Sequence, residues 1–247
     1  MQPYDLHVHT VFSDGKNTPE EMISTAIDLG FEKIGISDHS YTFYDPTYYC
    51  LPKEKIEEYK AEILSLKQKY RDKIEVLLGI EQDFYADTPL DGYDYAIGSV
   101  HYLCKDGNYF PVDESIEDTN NAIHKYFGGD ALSYAEEYFR TVAGFVNRDD
   151  IKIIGHFDIV TKFNEKTGII DTKNPRYVAA WTAAADKLIK AGKVFEINYR
   201  SMLYGHISQP YPAKEIIEYL TKNGVEFIKS SDSHSIEELR KSHALYF

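Results

Sequence analysis

Three times in this chain a helical stretch runs into a glycine and then into an apolar strand. Thr18-Pro19-Glu20-Glu21 supplies an N-cap, a proline at the first helical position and a capping-box glutamate. The helix it opens carries Met22, Ile23, Ala26 and Ile27 and should stop at Gly30, ahead of a strand over 33–37. The pattern recurs from Leu188 through Gly192 into Val194-Phe195-Glu196-Ile197, and from Ile217 through Gly224 into Glu226-Phe227-Ile228. Glycine just past a helix end is the usual left-handed cap. Strands alternating with helices in this way demand a parallel sheet.

The spacing predicts about seven strands, at 4–8, 33–37, 75–80, 93–99, 151–155, 194–198 and 226–230. Further helices are expected over about 53–70, near 130–146, and from Asn174-Pro175 through Trp181. No linker or repeat divides the 247 residues, so the chain reads as one domain, 1–247. An open doubly wound sheet is the alternative, but the G-x-G-x-x-G and P-loop fingerprints are absent. A closed α/β barrel is favoured by where the polar residues fall.

Six of the nine histidines, His7, His9, His39, His101, His156 and His234, sit at or just beyond the ends of these strands. Asp14, Asp38, Glu81 and Asp232 share that placement, at the end where parallel barrels carry their active face. His7 and His9 are two apart on a strand, so both side chains point to one side and can chelate one ion. Asp232 and His234 repeat that spacing. Glu81 closes the run Val76-Leu77-Leu78-Gly79-Ile80, where a carboxylate is costly unless paired or metal-bound. Its two oxygens can bridge two ions. Taken singly, each histidine reads equally well as a core residue, and Asp14 as a turn aspartate. Together they indicate a cluster of divalent metals.

His7-x-His9, Asp14, His39, Glu81, His101, His156 and Asp232-x-His234, in that order, resemble the polymerase-and-histidinol-phosphatase (PHP) family over nearly the whole chain. The resemblance implies a distorted (β/α)7 barrel of α/β class, binding two or three divalent ions at the strand C-termini. It places His7, His9, Glu81 and Asp232 around one ion; Glu81, His101 and His156 around a second; and Asp14, His39 and His234 around a third. Many histidinol-phosphatase members carry histidine where this chain has Asp14. Asp38 falls outside the ligand set, where it would orient an imidazole. The mixed nitrogen and oxygen donors suit zinc, iron or manganese.

The formal charge of −13 argues against long nucleic acid or an anionic membrane as partner. Three ligand carboxylates carry about −3 and three divalent ions about +6, so the mouth would be roughly +3 and suit a phosphate monoester. Arg200 and Lys162 are the cations expected to grip that phosphate, and the nucleophile is expected to be a hydroxide bridging metals at Glu81. No side chain is identified as the leaving-group acid; His206 is the one candidate. Resemblance to the histidinol-phosphatase branch, in Gly98 to Leu103 and Gly155 to Asp158, implies hydrolysis of L-histidinol phosphate to L-histidinol and phosphate. The alternatives are a nucleotide phosphoesterase or nuclease on the same scaffold, or a metal-bound accessory domain without activity. Cys50 and Cys104 read as ordinary reduced thiols. No signal peptide or roughly 18-residue apolar run is present, and the cytoplasm is the expected compartment.

Overall fold

The structure is a computed structural model that describes residues 3–46, 49–205 and 207–246. In chain order its strands are β1 (Tyr4–Asp5), β2 (Lys33–Ile36), β3 (Glu75–Asp83), β4 (Tyr95–Ser99), β5 (Tyr102–Lys105), β6 (Asn108–Pro111), β7 (Ile153–Ile154), β8 (Val194–Asn198) and β9 (Phe227–Ser230). Seven of them form one sheet in the order β1-β2-β3-β4-β7-β8-β9, every pair parallel. The sheet nearly closes. Val8 bridges Ser233 across the seam, the His9 N–H donates to the Ser233 carbonyl at 2.9 Å, and the Ser231 N–H donates to the Asp5 carboxylate at 3.1 Å. This is the single-domain (β/α)7 barrel the sequence implied.

Register fixes which residues look inward. Glu81 pairs with Ile97, Ile97 with Ile153, Ile153 with Val194, and Glu196 with Ile228. With a period of two along each strand, these residues share one face. Ile97, Ile153 and Ile228 form their own apolar cluster with Leu6, Tyr95 and Val194, beneath the carboxylates. The Tyr95 ring needs the missing side chain of Gly79, where a Cβ would collide with it. Its hydroxyl donates to the Leu6 carbonyl at 2.5 Å. The opposite face packs on helices through a larger core that includes Met22, Ile63, Phe139, Leu188 and Leu220.

The helix Pro19–Asp28 carries the expected capping box: the Glu21 N–H donates to the Thr18 hydroxyl, and the Thr18 N–H to the Glu21 carboxylate. Helices at Ile56–Tyr70, Ala131–Ala143, Pro175–Lys190 and Lys214–Lys222 also match expectation. The first strand is shorter than 4–8 because side chains replace its ladder. His7 N–H donates to Asp5 Oδ1, and Val8 N–H to the Ser37 hydroxyl. Not anticipated were the hairpin β5–β6, the helices Ile116–Phe127 and Ile236–Tyr246, and the short helices Asn164–Thr167 and Arg200–Tyr204. Among the described residues no helix is long and apolar enough to cross a membrane.

Candidate metal centre

All nine residues expected as ligands meet at the C-terminal end of the barrel. Glu81, inside β3, is the hub. Its Oε2 lies 3.4 Å from His7 Nε2, 3.5 Å from His9 Nε2 and 2.8 Å from His39 Nδ1. Its Oε1 lies 2.9 Å from His156 Nε2 and 3.5 Å from His101 Nε2. Asp232 Oδ1 stands 3.3 Å from His9 Nε2 and 3.9 Å from His7 Nε2. Asp14 completes a second lobe, 2.8 Å from His234 Nε2, 3.5 Å from His9 Nδ1 and 3.7 Å from His39 Nε2.

Three subsets have donor atoms close enough to share an ion: His7, His9 and Asp232; His39, Glu81 and His101; and His9, Asp14, His39 and His234. They overlap the three implied sets without repeating them, because His39 reaches both Glu81 and Asp14. The donor set passes a direct test of fit. His7 Nε2 and His9 Nδ1 are buried and have no hydrogen-bond partner among the described residues, while Glu81 Oε2 and His9 Nε2 face His39 and Asp232 of the same cluster. Orphaned donors gathered this way are costly unless something binds them.

The electrostatics point the same way. Burial would raise the Glu81 carboxyl, but His7, His39 and His101 outweigh it and hold it well below its ordinary value. Burial would lower His7, but Glu196, Asp232 and Glu81 hold it well above its own. His9 is pushed well below by burial and by His234 and His39. Without ions, protons on some imidazoles balance the carboxylates where metal charge would do so.

Behind the donors stands Glu196, which sequence reasoning missed. It accepts from His7 Nδ1 at 2.5 Å, from the His156 N–H at 2.7 Å, from Asn198 at 3.1 Å and from the Ser230 hydroxyl. It fixes the proton of His7 on Nδ1 and leaves Nε2 to face the cluster. A carboxylate alternating with apolar residues in Val194-Phe195-Glu196-Ile197 was the available signal. Asp83 plays a related part, accepting the His101 N–H at 2.9 Å.

Asp38 does not orient an imidazole, contrary to expectation. Its carboxylate is occupied by Thr10 N–H at 2.8 Å, Thr10 hydroxyl at 2.7 Å, Ser13 N–H at 3.1 Å and Ser13 hydroxyl at 2.5 Å. It anchors the turn that delivers Asp14. Asp232 is held at φ 52°, with its Oδ2 accepting from Asn198 at 3.0 Å.

A cavity of about 320 Å³ opens over the cluster, lined by both Arg200 and Lys162. Arg200 Nη1 donates to the Asp232 carbonyl at 2.6 Å and to Glu238 at 3.2 Å, and it also contacts His234 Nδ1. Lys162 Nζ donates to Asp113 Oδ2 at 3.0 Å. His206 lies outside the described residues.

A family model described as PHP domain matches residues 5–200. A Deinococcus radiodurans protein named probable histidinol-phosphatase is 27% identical over 248 residues, covering 95% of this chain and 87% of its own. The Bacillus subtilis histidinol-phosphatase is 31% identical over 185 residues, or 66% of this chain and 68% of that one. A Listeria monocytogenes structure assigned as a histidinol phosphatase matches with a TM-score of 0.84 at 22% identity, over 99% of this chain and 100% of that chain. The histidinol phosphate phosphatase of Lactococcus lactis, complexed with zinc, L-histidinol and phosphate, matches with a TM-score of 0.71 at 21% identity, over 98% and 93%.

Proposed function

This chain belongs to the PHP domain family, and on that premise we propose that it hydrolyses L-histidinol phosphate to L-histidinol and phosphate. The observation that carries the reading is the convergence of nine imidazole and carboxylate side chains at the strand ends, with His7 Nε2 and His9 Nδ1 buried and unpartnered among the described residues. His7, His9, Glu81 and Asp232 would hold one divalent ion, Glu81, His101 and His156 a second, and Asp14, His39 and His234 a third. Zinc, iron or manganese suits these donors. When bound, such ions activate water near neutral pH and neutralise phosphoryl charge.

The chain's own residues do the rest. Glu196 keeps the His7 proton on Nδ1, so Nε2 stays available. For His234 to offer Nε2, its proton must sit on Nδ1, where the Asp232 carbonyl at 2.9 Å accepts it. The Arg200 guanidinium, held beside it by the Asp232 carbonyl and Glu238, lines the cavity and would donate to substrate oxygens. Lys162 reaches the phosphate from the other loop, and Tyr204 and Tyr211 give the cavity aromatic wall. A cavity of about 320 Å³ suits a small phosphate monoester.

Relatives at 27% and 31% identity that carry the histidinol-phosphatase name support this substrate, as does the L-histidinol and phosphate in the Lactococcus lactis structure. The test is a panel of L-histidinol phosphate, nucleoside monophosphates and short oligonucleotides with the metal-loaded protein. A preference of at least about tenfold in kcat/KM for L-histidinol phosphate is expected, the discrimination one well-placed polar contact supplies. A smaller preference, or a nucleotide preferred, overturns the assignment.

A further inference from the structure

Once the metal-binding set and its supports are assigned, a buried carboxylate oxygen beside the cavity remains unexplained among the described residues, with a buried phenol lining the same cavity. Asp113 is 6% exposed and gives one oxygen to Lys162, while its Oδ1 has no hydrogen-bond partner among the described residues. Tyr211 is 3% exposed, and its hydroxyl stands beside that of Ser201. Both residues line the cavity that His101, His156 and Arg200 also line.

Both are held firmly. The Val112 N–H donates to the His101 carbonyl at 2.9 Å, which ties the Asp113 segment to the end of β4. Tyr211 exchanges two backbone hydrogen bonds with Asn198, at 2.7 and 2.9 Å. Among the described residues, Asp113 sits in no donor group able to hold an ion. A rigid site with an unmet acceptor rejects ligands that leave it unmet and favours those that supply a donor.

The charge of this wall is the second clue. Glu114 lines the cavity next to Asp113, and its carboxyl is raised by burial and by Asp113. Lys162 answers one of the Asp113 oxygens. The oxygen that Lys162 leaves unanswered, Asp113 Oδ1, repels a phosphate oxygen and so suits another part of the substrate. A lone carboxylate oxygen and a hydroxyl able to accept together match a group with several N–H donors and positive charge.

We propose that Asp113 Oδ1 and the Tyr211 hydroxyl receive a primary ammonium on the leaving group, so that the site selects amino-alcohol phosphates over amine-free phosphate monoesters. This rests on the phosphomonoesterase reading but not on L-histidinol phosphate as the substrate. The substrate is then oriented as a dipole, phosphate toward the metal cluster and Arg200, ammonium toward Asp113.

The test uses matched pairs on the metal-loaded full chain: L-histidinol phosphate against 3-(imidazol-4-yl)propyl phosphate, and O-phosphoethanolamine against ethyl phosphate. The amine-bearing member should be preferred roughly 10- to 100-fold in kcat/KM, the discrimination expected of a charge-assisted hydrogen bond. Asp113→Asn should collapse that ratio, mainly through KM, with metal content unchanged; Tyr211→Phe should reduce it in part. Calorimetric binding of L-histidinol against its amine-free alcohol reads the same preference without turnover. No preference in either pair overturns the proposal. So does an Asp113→Asn variant that weakens both members equally, which would mean that Asp113 acts only through Lys162. If nucleotides outcompete L-histidinol phosphate while O-phosphoethanolamine still beats ethyl phosphate, the substrate assignment fails and this inference stands.

Discussion

Glu196→Gln replaces one oxygen by an NH2 and changes almost no volume, yet it should disable one metal position. Burial would raise this carboxyl, but His7 beside it outweighs burial and holds it below its ordinary value, so it is ionised. His7 Nδ1 and the Ser230 hydroxyl meet one oxygen; the His156 N–H and Asn198 meet the other. An amide keeps one acceptor. With that acceptor at Oε2, both of its donors remain served, and the new NH2 faces Ser230 and His7. Ser230 can rotate its hydroxyl to accept. His7 can accept only by moving its proton to Nε2, the atom that must be bare to bind an ion. The fold survives, at a cost of about 1.5–3 kcal/mol for the lost charged hydrogen bond. Metal affinity should fall about 10- to 100-fold, the usual loss when the partner of a ligating histidine is removed. Competition against a chromophoric chelator measures the affinity, and the nitrogen chemical shifts of His7 report its tautomer. Affinity and turnover within about threefold of the parent, at unchanged melting temperature, would refute the reasoning, since a second-sphere change of this kind should exceed that.

Glu81→Ala removes the hub facing five imidazoles, and turnover should drop on the order of a thousandfold or more with the far-ultraviolet spectrum unchanged; retained activity and metal content would contradict the shared-ligand arrangement. Metal affinity should rise with pH. Burial would lower His39, but Glu81 and Asp14 push it up to about 9, so at pH 7 it is protonated and must lose its proton to bind an ion. Between pH 7 and 9 affinity should gain about tenfold per pH unit for each proton displaced. Calorimetry in two buffers of different ionisation enthalpy detects the released protons, and zero release would sink this account. Asp38→Ala strands two backbone N–H groups and two hydroxyls in the turn before Asp14. It should cost on the order of 3 kcal/mol in chemical denaturation and loosen the Asp14 position first; a variant with unchanged stability would show that the turn holds itself.

Much of the fold was legible because local rules decide it. Thr18, Pro19 and Glu21 announce the first helix through capping contacts within four residues. The hairpin β5–β6 carried a comparable signal that went unread. Asp106 and Gly107 take φ 53° and 76°, the two-residue turn that an Asp-Gly pair favours between strands. The helix Ile116–Phe127 likewise has Ser115 as its N-cap, accepting from the Asp118 N–H. Strand ends were less certain. At Leu6 and His7 the ladder gives way to a bond from the Tyr95 hydroxyl to the Leu6 carbonyl and one from the His7 N–H to Asp5, partners 89 and 2 residues away.

The sequence by itself determined the βα alternation, through short-range periodicity, and the nine candidate donors, through residue chemistry at strand ends together with the order that resembles the PHP family. Only the tertiary structure decided what each donor meets. Asp38 and Glu196 are both buried carboxylates in or beside apolar strands, indistinguishable on that ground. One ties down the turn before Asp14; the other holds His7, 189 residues away. The difference comes from closing the ring of strands, which sets the inter-strand register and brings residues from opposite ends of the chain onto one inner face. No local pattern encodes that pairing, because it is a property of the closed sheet.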